Sequence, residues 1–302
     1  MLSWRLIFAV AILLPLFALM AADYYLGSFV PGLILIPLGL TLSLLASAEV
    51  LDLFSKEPLR PISGSVYAGV SLIFLSTCAP LAWPLVGAEY PQDCPLGKLG
   101  WPLVATALSL VMAFVAEMMR YERAGGHLVR VSLALFAICY VGLMMSFLVL
   151  LRTFHSNAWG MAALLSLAFV VKISDTGAYT IGKLLGKHPM SPRLSPHKTV
   201  EGAVGGTIAA AAAGAVFFQF ILPWIVPDAS PPAVWRGMLF GVIIALAGMV
   251  GDLCESLVKR DVNRKDSSGW LRGLGGVLDV MDSVMIAAPC AFVCWAVGLV
   301  GP

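Results

Sequence analysis

Charged residues are scarce in this chain. Only 12% of its 302 residues are Asp, Glu, Lys or Arg, whereas soluble domains carry about 25%. Apolar residues make up 60% of the chain and the mean hydropathy is +0.92. So little charge, separated by long apolar runs, excludes an ordinary soluble domain and indicates a membrane protein.

The sequence also lacks a long polar tail, a low-complexity segment and a clear internal repeat. Its six cysteines and four histidines show no spacing typical of a metal site, so we predict neither a zinc site nor a disulfide. The net charge is only +2, and we expect no nucleic-acid partner. The chemistry of the protein must therefore depend on a few charged residues.

Apolar runs long enough to cross a bilayer recur along the whole chain, since a spanning helix needs about 20 such residues. We find about nine runs, at residues 6–22, 29–48, 66–86, 101–119, 131–151, 159–171, 203–226, 235–257 and 277–300. The sixth is short, and we expect it to be tilted into a thinned or protein-lined region. The prediction is an all-α polytopic integral membrane protein with about nine transmembrane helices.

Positive charge is unequal between alternate loops. Arg5 and the loops after the second, fourth, sixth and eighth runs hold 16 of the 19 Lys and Arg residues. The positive-inside rule then places the N-terminus in the cytoplasm and the C-terminus outside. The first run also has features of a cleaved signal peptide, but we predict that it is retained, because later runs supply their own insertion signals.

The charged residues divide this single membrane domain, residues 1–302, into two halves. Residues 1–151 hold five runs with short connections, and we interpret Asp52, Glu117 and Glu122 there as solvated loop ends. Residues 152–302 hold four runs with longer polar cytoplasmic loops. We predict an apolar front half and a catalytic back half.

Residues 251–283 concentrate eleven charged residues between two apolar flanks. Asp252, Glu255, Ser256 and Lys259 lie at i, i+3, i+4 and i+7, which is one face of a helix. Ionisable groups at such depth are costly unless they are paired, hydrated or bound to a cation. An ion pair of Lys259 with Asp252 or Glu255 is the structural alternative to a functional site.

The ninth run begins with a second polar face, formed by Asp279, Asp282 and Ser283. A short loop joins the last two runs, so we expect antiparallel neighbours that bring Asp252 and Asp279 together. Several carboxylates without enough cations of their own indicate a divalent metal, and oxygen-only ligands favour Mg²⁺. A second cation beside it is an option.

The joining loop supplies donors for phosphate, because its cations are followed by glycines at a helix N-terminus. The cations and glycines are Lys259, Arg260, Arg264, Lys265, Gly273, Gly275 and Gly276. An earlier segment has the same character: Asp175 ends the sixth run and Lys198 lies in the loop that follows. Metal-binding acids beside phosphate-binding cations indicate phosphoryl or nucleotidyl transfer.

Residues 256–282, SLVKRDVNRKDSSGWLRGLGGVLDVMD, resemble the signature of the phosphatidate cytidylyltransferases, or CDP-diacylglycerol synthases. SDTGAY at 174–179 and KTVEG at 198–202 resemble the same family. Three positions depart from it, at Arg272, Leu274 and Val280. The matching positions are Ser256, Lys259, Arg260, Lys265, Asp266, Gly275, Gly276, Asp279 and Asp282.

The resemblance implies transfer of a cytidylyl group from CTP to phosphatidate, giving CDP-diacylglycerol and pyrophosphate. It implies Mg²⁺ on Asp252 and Asp279, with Asp282 and Asp175 as further ligands or supports. It implies phosphate binding by Lys198 and by the loop cations, and membrane lipid as a partner. An active site on the cytoplasmic face of a bacterial-type inner membrane, in a homodimer, is the matching expectation.

Three other functions stay open at this point. A CTP-dependent polyprenol or phytol kinase would yield lipid phosphate and CDP. A transporter would use the acids as a cation relay, but it predicts carboxylates spread through the membrane midplane. A catalytically inactive homologue that binds lipid is compatible with Leu274 and Val280.

Overall fold

The computed structural model describes residues 2–27, 30–56, 60–91, 93–268 and 275–302, with only the backbone of residues 2–13 and of Lys56. Arg272, Leu274 and Gly273 lie outside the described residues. The chain divides into two units. The first unit comprises Met1–Leu150 and Asp266–Val280, and the second comprises Leu151–Lys265 and Met281–Pro302.

The first unit is a set of helices around a buried face of α3. Val66, Val70, Ile73 and Phe74 are at most 1% exposed on that face. Gly69 brings it close to Ile138, since a β-carbon at Gly69 would collide with that side chain. A π-helical segment at Ile138–Leu143 joins the last two helices. The helices are α1 (Leu2–Leu26), α2 (Ile36–Leu53), α3 (Ser63–Thr77), α4 (Ala82–Leu85), α5 (Gly97–Met119), α6 (His127–Ala137) and α7 (Met144–Arg152).

The second unit packs long helices around an aromatic cluster that includes Phe218, Phe240 and Trp295. Trp295 is fully buried, and its indole N–H donates to the Ser166 hydroxyl at 3.2 Å. A two-stranded antiparallel hairpin pairs Pro189 with Thr199. The elements are α8 (Asn157–Leu185), β1 (Pro189–Ser191), β2 (Ser195–Thr199), α9 (Val200–Val216), α10 (Leu222–Ile225), α11 (Val234–Asp261) and α12 (Val277–Ala296), whose first turn belongs to the first unit.

Helices dominate because a backbone inside a bilayer must satisfy its own hydrogen bonds. Polar side chains within the apolar helices do the same locally. The hydroxyls of Ser43, Ser47 and Ser109 each donate to a carbonyl four residues earlier at 2.7 Å. The all-α class is confirmed, and the small hairpin is the only sheet among the described residues.

Seven helices among the described residues are long and apolar enough to cross a membrane. An eighth candidate is the pair Ser63–Thr77 and Ala79–Leu85, bent by 42° where Pro80 begins a new turn. The part of α1 whose side chains are described, Leu14–Leu26, is shorter than the other candidates. A polytopic membrane protein is therefore confirmed, and the count of nine spans stays a prediction.

The helix that contains the sixth apolar run is longer than the sequence suggested. Apolar character ends at Val171, but α8 continues to Leu185 and has 29 residues. Lys172 and Asp175, which we took to end the span, lie inside the helix and form an i,i+3 ion pair at 3.5 Å. Local pairing of charges lets the helix continue beyond its apolar part.

Candidate active site

Asp252 on α11 is the centre of a charged cluster in the second unit. The Lys198 ammonium lies 2.7 Å from Asp252 Oδ2, and the Ser283 hydroxyl donates to Oδ1 at 2.9 Å. Both charged side chains are about 30% exposed. Asp252 and Lys198 were each predicted as site residues from separate segments, and the structure brings their side chains into contact.

Local structure explains how Lys198 reaches this position. Lys198 is the fourth residue of β2, and the next residue, Thr199, caps α9 by accepting the Gly202 N–H at 3.1 Å. Glu201 accepts the N–H groups of Lys187 and His188 at 3.1 and 3.2 Å. The hairpin is therefore tied to the start of α9, and Lys198 is held at that junction.

Asp282 is the second acid of the cluster and is 5% exposed. The Ser283 hydroxyl is within 3.1 Å of Asp282 Oδ1 and within 2.9 Å of Asp252 Oδ1, so one hydroxyl lies between two carboxylates. Gly251 allows this approach, because a β-carbon there would meet the Asp282 carbonyl. The predicted polar faces of α11 and α12 thus meet at Asp252, Asp282 and Ser283.

The other acid of α11, Glu255, has a different role. Its carboxylate lies 3.0 Å from the Lys259 ammonium, and both side chains are nearly buried. The sequence analysis left open an ion pair of Lys259 with either Asp252 or Glu255, as the structural alternative to a functional site. The structure forms this i,i+4 pair with Glu255, whereas Asp252 pairs with Lys198. Ser256 lies half-buried on the same helix.

Asp175 and Arg260 lie on the exposed side of this unit. Asp175 is 41% exposed and is close enough to Asp252 and Lys198 to interact electrostatically. Arg260 donates to the carbonyls of Leu194 at 3.2 Å and Arg264 at 3.0 Å, so it links α11 to the hairpin turn. Lys265 is exposed to solvent.

Asp279 lies in the first unit and has a network of its own. Its Oδ2 accepts the Ser267 hydroxyl at 2.7 Å, the Ser267 N–H at 3.2 Å and the Gly276 N–H at 2.6 Å. Gly275 has a φ of +84°, a conformation that favours glycine. Asp266, the predicted neighbour in the signature, is exposed. The predicted approach of Asp252 to Asp279 stays a prediction.

Glu49 on α2 is a functional candidate that the sequence analysis missed. It is 8% exposed, accepts the Ser268 hydroxyl at 2.8 Å, and lies 3.0 Å from the Ser267 hydroxyl, whose single proton it shares with Asp279. It also accepts the N–H groups of Val277 and Leu278 at 2.9 and 2.8 Å. The signal was a carboxylate one residue beyond the second apolar run, and α2 extends that run to Leu53.

The N–H groups at the glycine turn and at the start of α12 therefore bind carboxylates of the protein itself. We expected Gly275 and Gly276 to present N–H groups to a substrate phosphate. In the structure, Gly276 donates to Asp279, and the next two N–H groups of α12 donate to Glu49. The physical reasoning about a helix N-terminus holds, and phosphate binding by these glycines stays a prediction.

Glu117 corrects another expectation. It is 6% exposed rather than solvated, and its carboxylate contacts Arg130 Nε at 2.9 Å and His127 Nδ1 at 2.8 Å. Asp52 and Glu122 are exposed, as expected of loop ends. A buried carboxylate needs such partners, and hydropathy alone does not show that they are present.

Mg²⁺ is compatible with the donors of the second unit. Asp252 and Asp282 offer carboxylate oxygens around a hydroxyl, and Mg²⁺ is commonly held by one or two carboxylates, waters and substrate phosphates. No group of three or more His, Cys, Asp and Glu side chains is placed for a metal within the part of the chain that the structure describes. Metal binding by Asp252, Asp282 and Asp279 stays a prediction.

Comparisons with known proteins agree with this chemistry. A family model described as the cytidylyltransferase family matches residues 4–297. A phosphatidate cytidylyltransferase of Staphylococcus saprophyticus is 32% identical over 259 residues, which cover 85% of this chain and 88% of that relative. One of Mycobacterium bovis is 35% identical over 172 residues, 56% of this chain and 52% of that relative. One of Mycobacterium leprae is 36% identical over 164 residues, 54% of this chain and 48% of that relative.

The chain spans about half the length of the mycobacterial relatives and most of the staphylococcal one. The family match reaches across both units and includes every charged residue described above. This chain is therefore a nucleotidyltransferase that belongs to the cytidylyltransferase family.

Proposed function

We propose that this protein transfers the cytidylyl group of CTP to phosphatidate, forming CDP-diacylglycerol and pyrophosphate. The names of its relatives support this substrate pair. The observation that carries the proposal is the cluster of Lys198, Asp252, Asp282 and Ser283. It places an ammonium beside the Asp252 carboxylate, which the Ser283 hydroxyl links to a second carboxylate, within a chain that is mostly apolar.

The reaction asks the protein for positioning and charge neutralisation. A phosphate-monoester oxygen of the lipid attacks the α-phosphorus of CTP, and the bond from that phosphorus to the oxygen bridging to the β-phosphorus breaks. A phosphate monoester is largely ionised near pH 7, because its second pKa is about 6. The nucleophile therefore needs no Ser/His pair, and the two polyanions must be brought together and neutralised.

The charged side chains divide this work by type. Lys198, Arg260 and Lys265 are proposed to bind phosphates, and Lys259 would do so by exchanging its Glu255 partner. Asp252, Asp282 and Asp279 would hold Mg²⁺, which, when bound, offsets the negative charge that develops on the leaving pyrophosphate. Asp175, Ser256 and Asp266 are proposed supports, and Gly275 and Gly276 shape the turn.

The proposed setting is the inner membrane of a bacterial-type cell, with nine spans, a cytoplasmic N-terminus and a site on the cytoplasmic face. The uneven distribution of Lys and Arg supports this orientation. CTP is then reached from the cytoplasm and the lipid headgroup from the bilayer face. A homodimer is part of the proposal only through family resemblance.

Purified protein with CTP labelled at the α-phosphate, phosphatidate and Mg²⁺ tests the proposal. We expect CDP-lipid and pyrophosphate in equal amounts, and we expect Asp279→Asn and Asp252→Asn to abolish both while the variants still fold. If a polyprenol or phytol replaces phosphatidate, formation of its lipid phosphate together with CDP would show a kinase instead. Full activity of Asp279→Asn would overturn its assignment as a metal ligand, and a wild-type protein without turnover on CTP and phosphatidate would overturn the proposed reaction.

A further inference from the structure

Glu49 and Asp279 are connected through one side chain. The Ser267 hydroxyl is fully buried and lies 3.0 Å from Glu49 Oε2 and 2.7 Å from Asp279 Oδ2. The Ser267 N–H also donates to Asp279 Oδ2. Ser267 therefore cannot change rotamer without losing contact with one of the two carboxylates.

Glu49 also holds the backbone that carries Asp279. The N–H groups of Val277 and Leu278, the first two residues of α12, both donate to its carboxylate. A negative charge is stabilised at this end of a helix. Gly276 makes the approach possible, since a β-carbon there would collide with Glu49 and with Ser267.

We propose that Glu49 is a positioning residue, which orients the Asp279 carboxylate through Ser267 and through the first turn of α12. The proposal rests on the proposed function in one respect, because it takes Asp279 as a ligand of the metal. It adds that a residue of the second helix, far from the signature in sequence, determines whether that ligand is correctly presented. Partners that orient a metal ligand commonly matter by about 10–100-fold in affinity or activity.

A purely structural role is the competing explanation, and the first unit contains a matched example of it. Asp23 is fully buried and accepts the N–H groups of Gly32 at 3.2 Å and Ile34 at 3.0 Å. It therefore makes the same kind of bonds as Glu49. Asp23→Asn consequently measures what the loss of such bonds costs where no candidate metal ligand is attached.

The adjacent serines provide the sharpest test. Ser267→Ala and Ser268→Ala each remove one hydroxyl bonded to Glu49, but only the Ser267 hydroxyl contacts Asp279. We expect Ser267→Ala to lower kcat about 10–100-fold with KM for CTP within about twofold, and to weaken Mn²⁺ binding by a similar factor. Ser268→Ala is expected to change both quantities by less than about threefold, because the bond of its hydroxyl to the Glu49 carboxylate does not extend to Asp279, and the loss of that bond is expected to lower the melting temperature instead.

Mn²⁺ binding is measured on the full-length protein in detergent by the electron paramagnetic resonance signal of the free ion, without substrates. Glu49→Gln is expected to lower kcat and Mn²⁺ affinity as Ser267→Ala does, and the double variant is expected to be no worse than the worse single variant, because both act along one path. Asp23→Asn is expected to lower the melting temperature and leave Mn²⁺ affinity unchanged.

Equal effects of Ser267→Ala and Ser268→Ala would overturn the proposal, as would additive effects of Glu49→Gln and Ser267→Ala. If Glu49→Gln does not fold, the two serine variants decide. Failure of the proposed reaction is distinguishable, because Mn²⁺ binding is measured without substrates: if the wild-type protein makes no CDP-lipid but binds Mn²⁺, the serine variants can still be compared, and a wild-type protein that binds no Mn²⁺ would overturn the proposal.

Discussion

The pair of Lys198 and Asp252 shows how a single contact can serve two purposes. The ammonium and the carboxylate lie 2.7 Å apart, and both side chains are about 30% exposed, so each can exchange its partner for another ion. A partly exposed ion pair contributes about 1 kcal/mol or less to stability. We propose that this pair keeps a cation beside a carboxylate until a substrate phosphate binds.

Lys198→Met removes the charge and keeps most of the side-chain volume. We expect kcat/KM for CTP to fall about 10- to 100-fold, because a hydrogen bond to a charged group contributes about 1.5–3 kcal/mol. The melting temperature is expected to change little. Steady-state kinetics and thermal unfolding of the purified protein check both results.

Lys172→Met is the matched control for this variant. Lys172 also pairs with a carboxylate, Asp175, but at 3.5 Å and with 54% of its side chain exposed. We expect a change of less than about threefold, since such exposed pairs contribute little. Equal losses in both variants would mean that Lys198 acts only through general charge.

At this scale, chemistry and spacing together selected candidate residues that the structure brings into contact, and their roles stay predictions. Asp252, Asp282 and Lys198 were predicted from helical spacing and motif resemblance, and the structure brings them into one cluster. Glu117 was misjudged and Glu49 was missed, because both lie near the ends of apolar runs. Whether such a carboxylate is solvated or buried depends on partners that hydropathy does not reveal.

Among the elements, α8 packs closely against α9 in the second unit. Gly202 and Gly206 have the small-xxx-small spacing that lets helices approach in a membrane. A β-carbon at Gly206 would meet Ala178 and the Ser174 carbonyl. This contact fixes α9 against the helix that carries Asp175.

Gly206→Ala is therefore expected to destabilise the protein by about 1–3 kcal/mol, the usual cost of overpacking. Gly64→Ala is the control, because a β-carbon at Gly64 meets nothing within 4 Å. Its effect is expected to be neutral or slightly stabilising, since alanine favours a helix by about 1 kcal/mol. Thermal unfolding in detergent compares the two, and a similar loss for both would contradict the packing argument.

The lengths of elements were less predictable than their contacts. Residues 172–185 are polar enough to end an apolar run, yet they continue α8. The hairpin of β1 and β2 was missed, because its five-residue second strand alternates no apolar residues. Short strands held by neighbouring side chains, such as that of Glu201, carry little local signal.

For the whole molecule, the distribution of Lys and Arg predicts a cytoplasmic N-terminus, and this orientation can be tested by labelling cysteines. The loop between α4 and α5 is expected outside the cell and contains Cys94. A side-chain hydrogen bond with Tyr90 lowers the pKa of the Cys94 thiol. A lowered pKa raises the thiolate fraction near neutral pH, and the thiolate is the reactive form.

We expect a membrane-impermeant maleimide to label Cys94 in intact cells at pH 7, and Tyr90→Phe to slow the labelling by raising the pKa. Cys94→Ser is expected to abolish labelling. Ser191→Cys, in the hairpin of a Cys94→Ser background, is expected to react only after the membrane is permeabilised. Labelling of Ser191→Cys in intact cells would reverse the proposed orientation.

Composition and hydropathy were sufficient to predict an all-α membrane protein, and the resemblance of its motifs predicted the cytidylyltransferase family, with candidate acids and cations between residues 175 and 282. These properties are local, since each depends on residues within a few turns of one another. Only the tertiary structure decided what the carboxylates hold. Glu49 bonds Val277 across 228 positions of sequence, and one sequence gives no spacing rule for such a distant pair. The physical reason is that burial of a charge is satisfied in three dimensions, by whichever donors the folded chain brings to it.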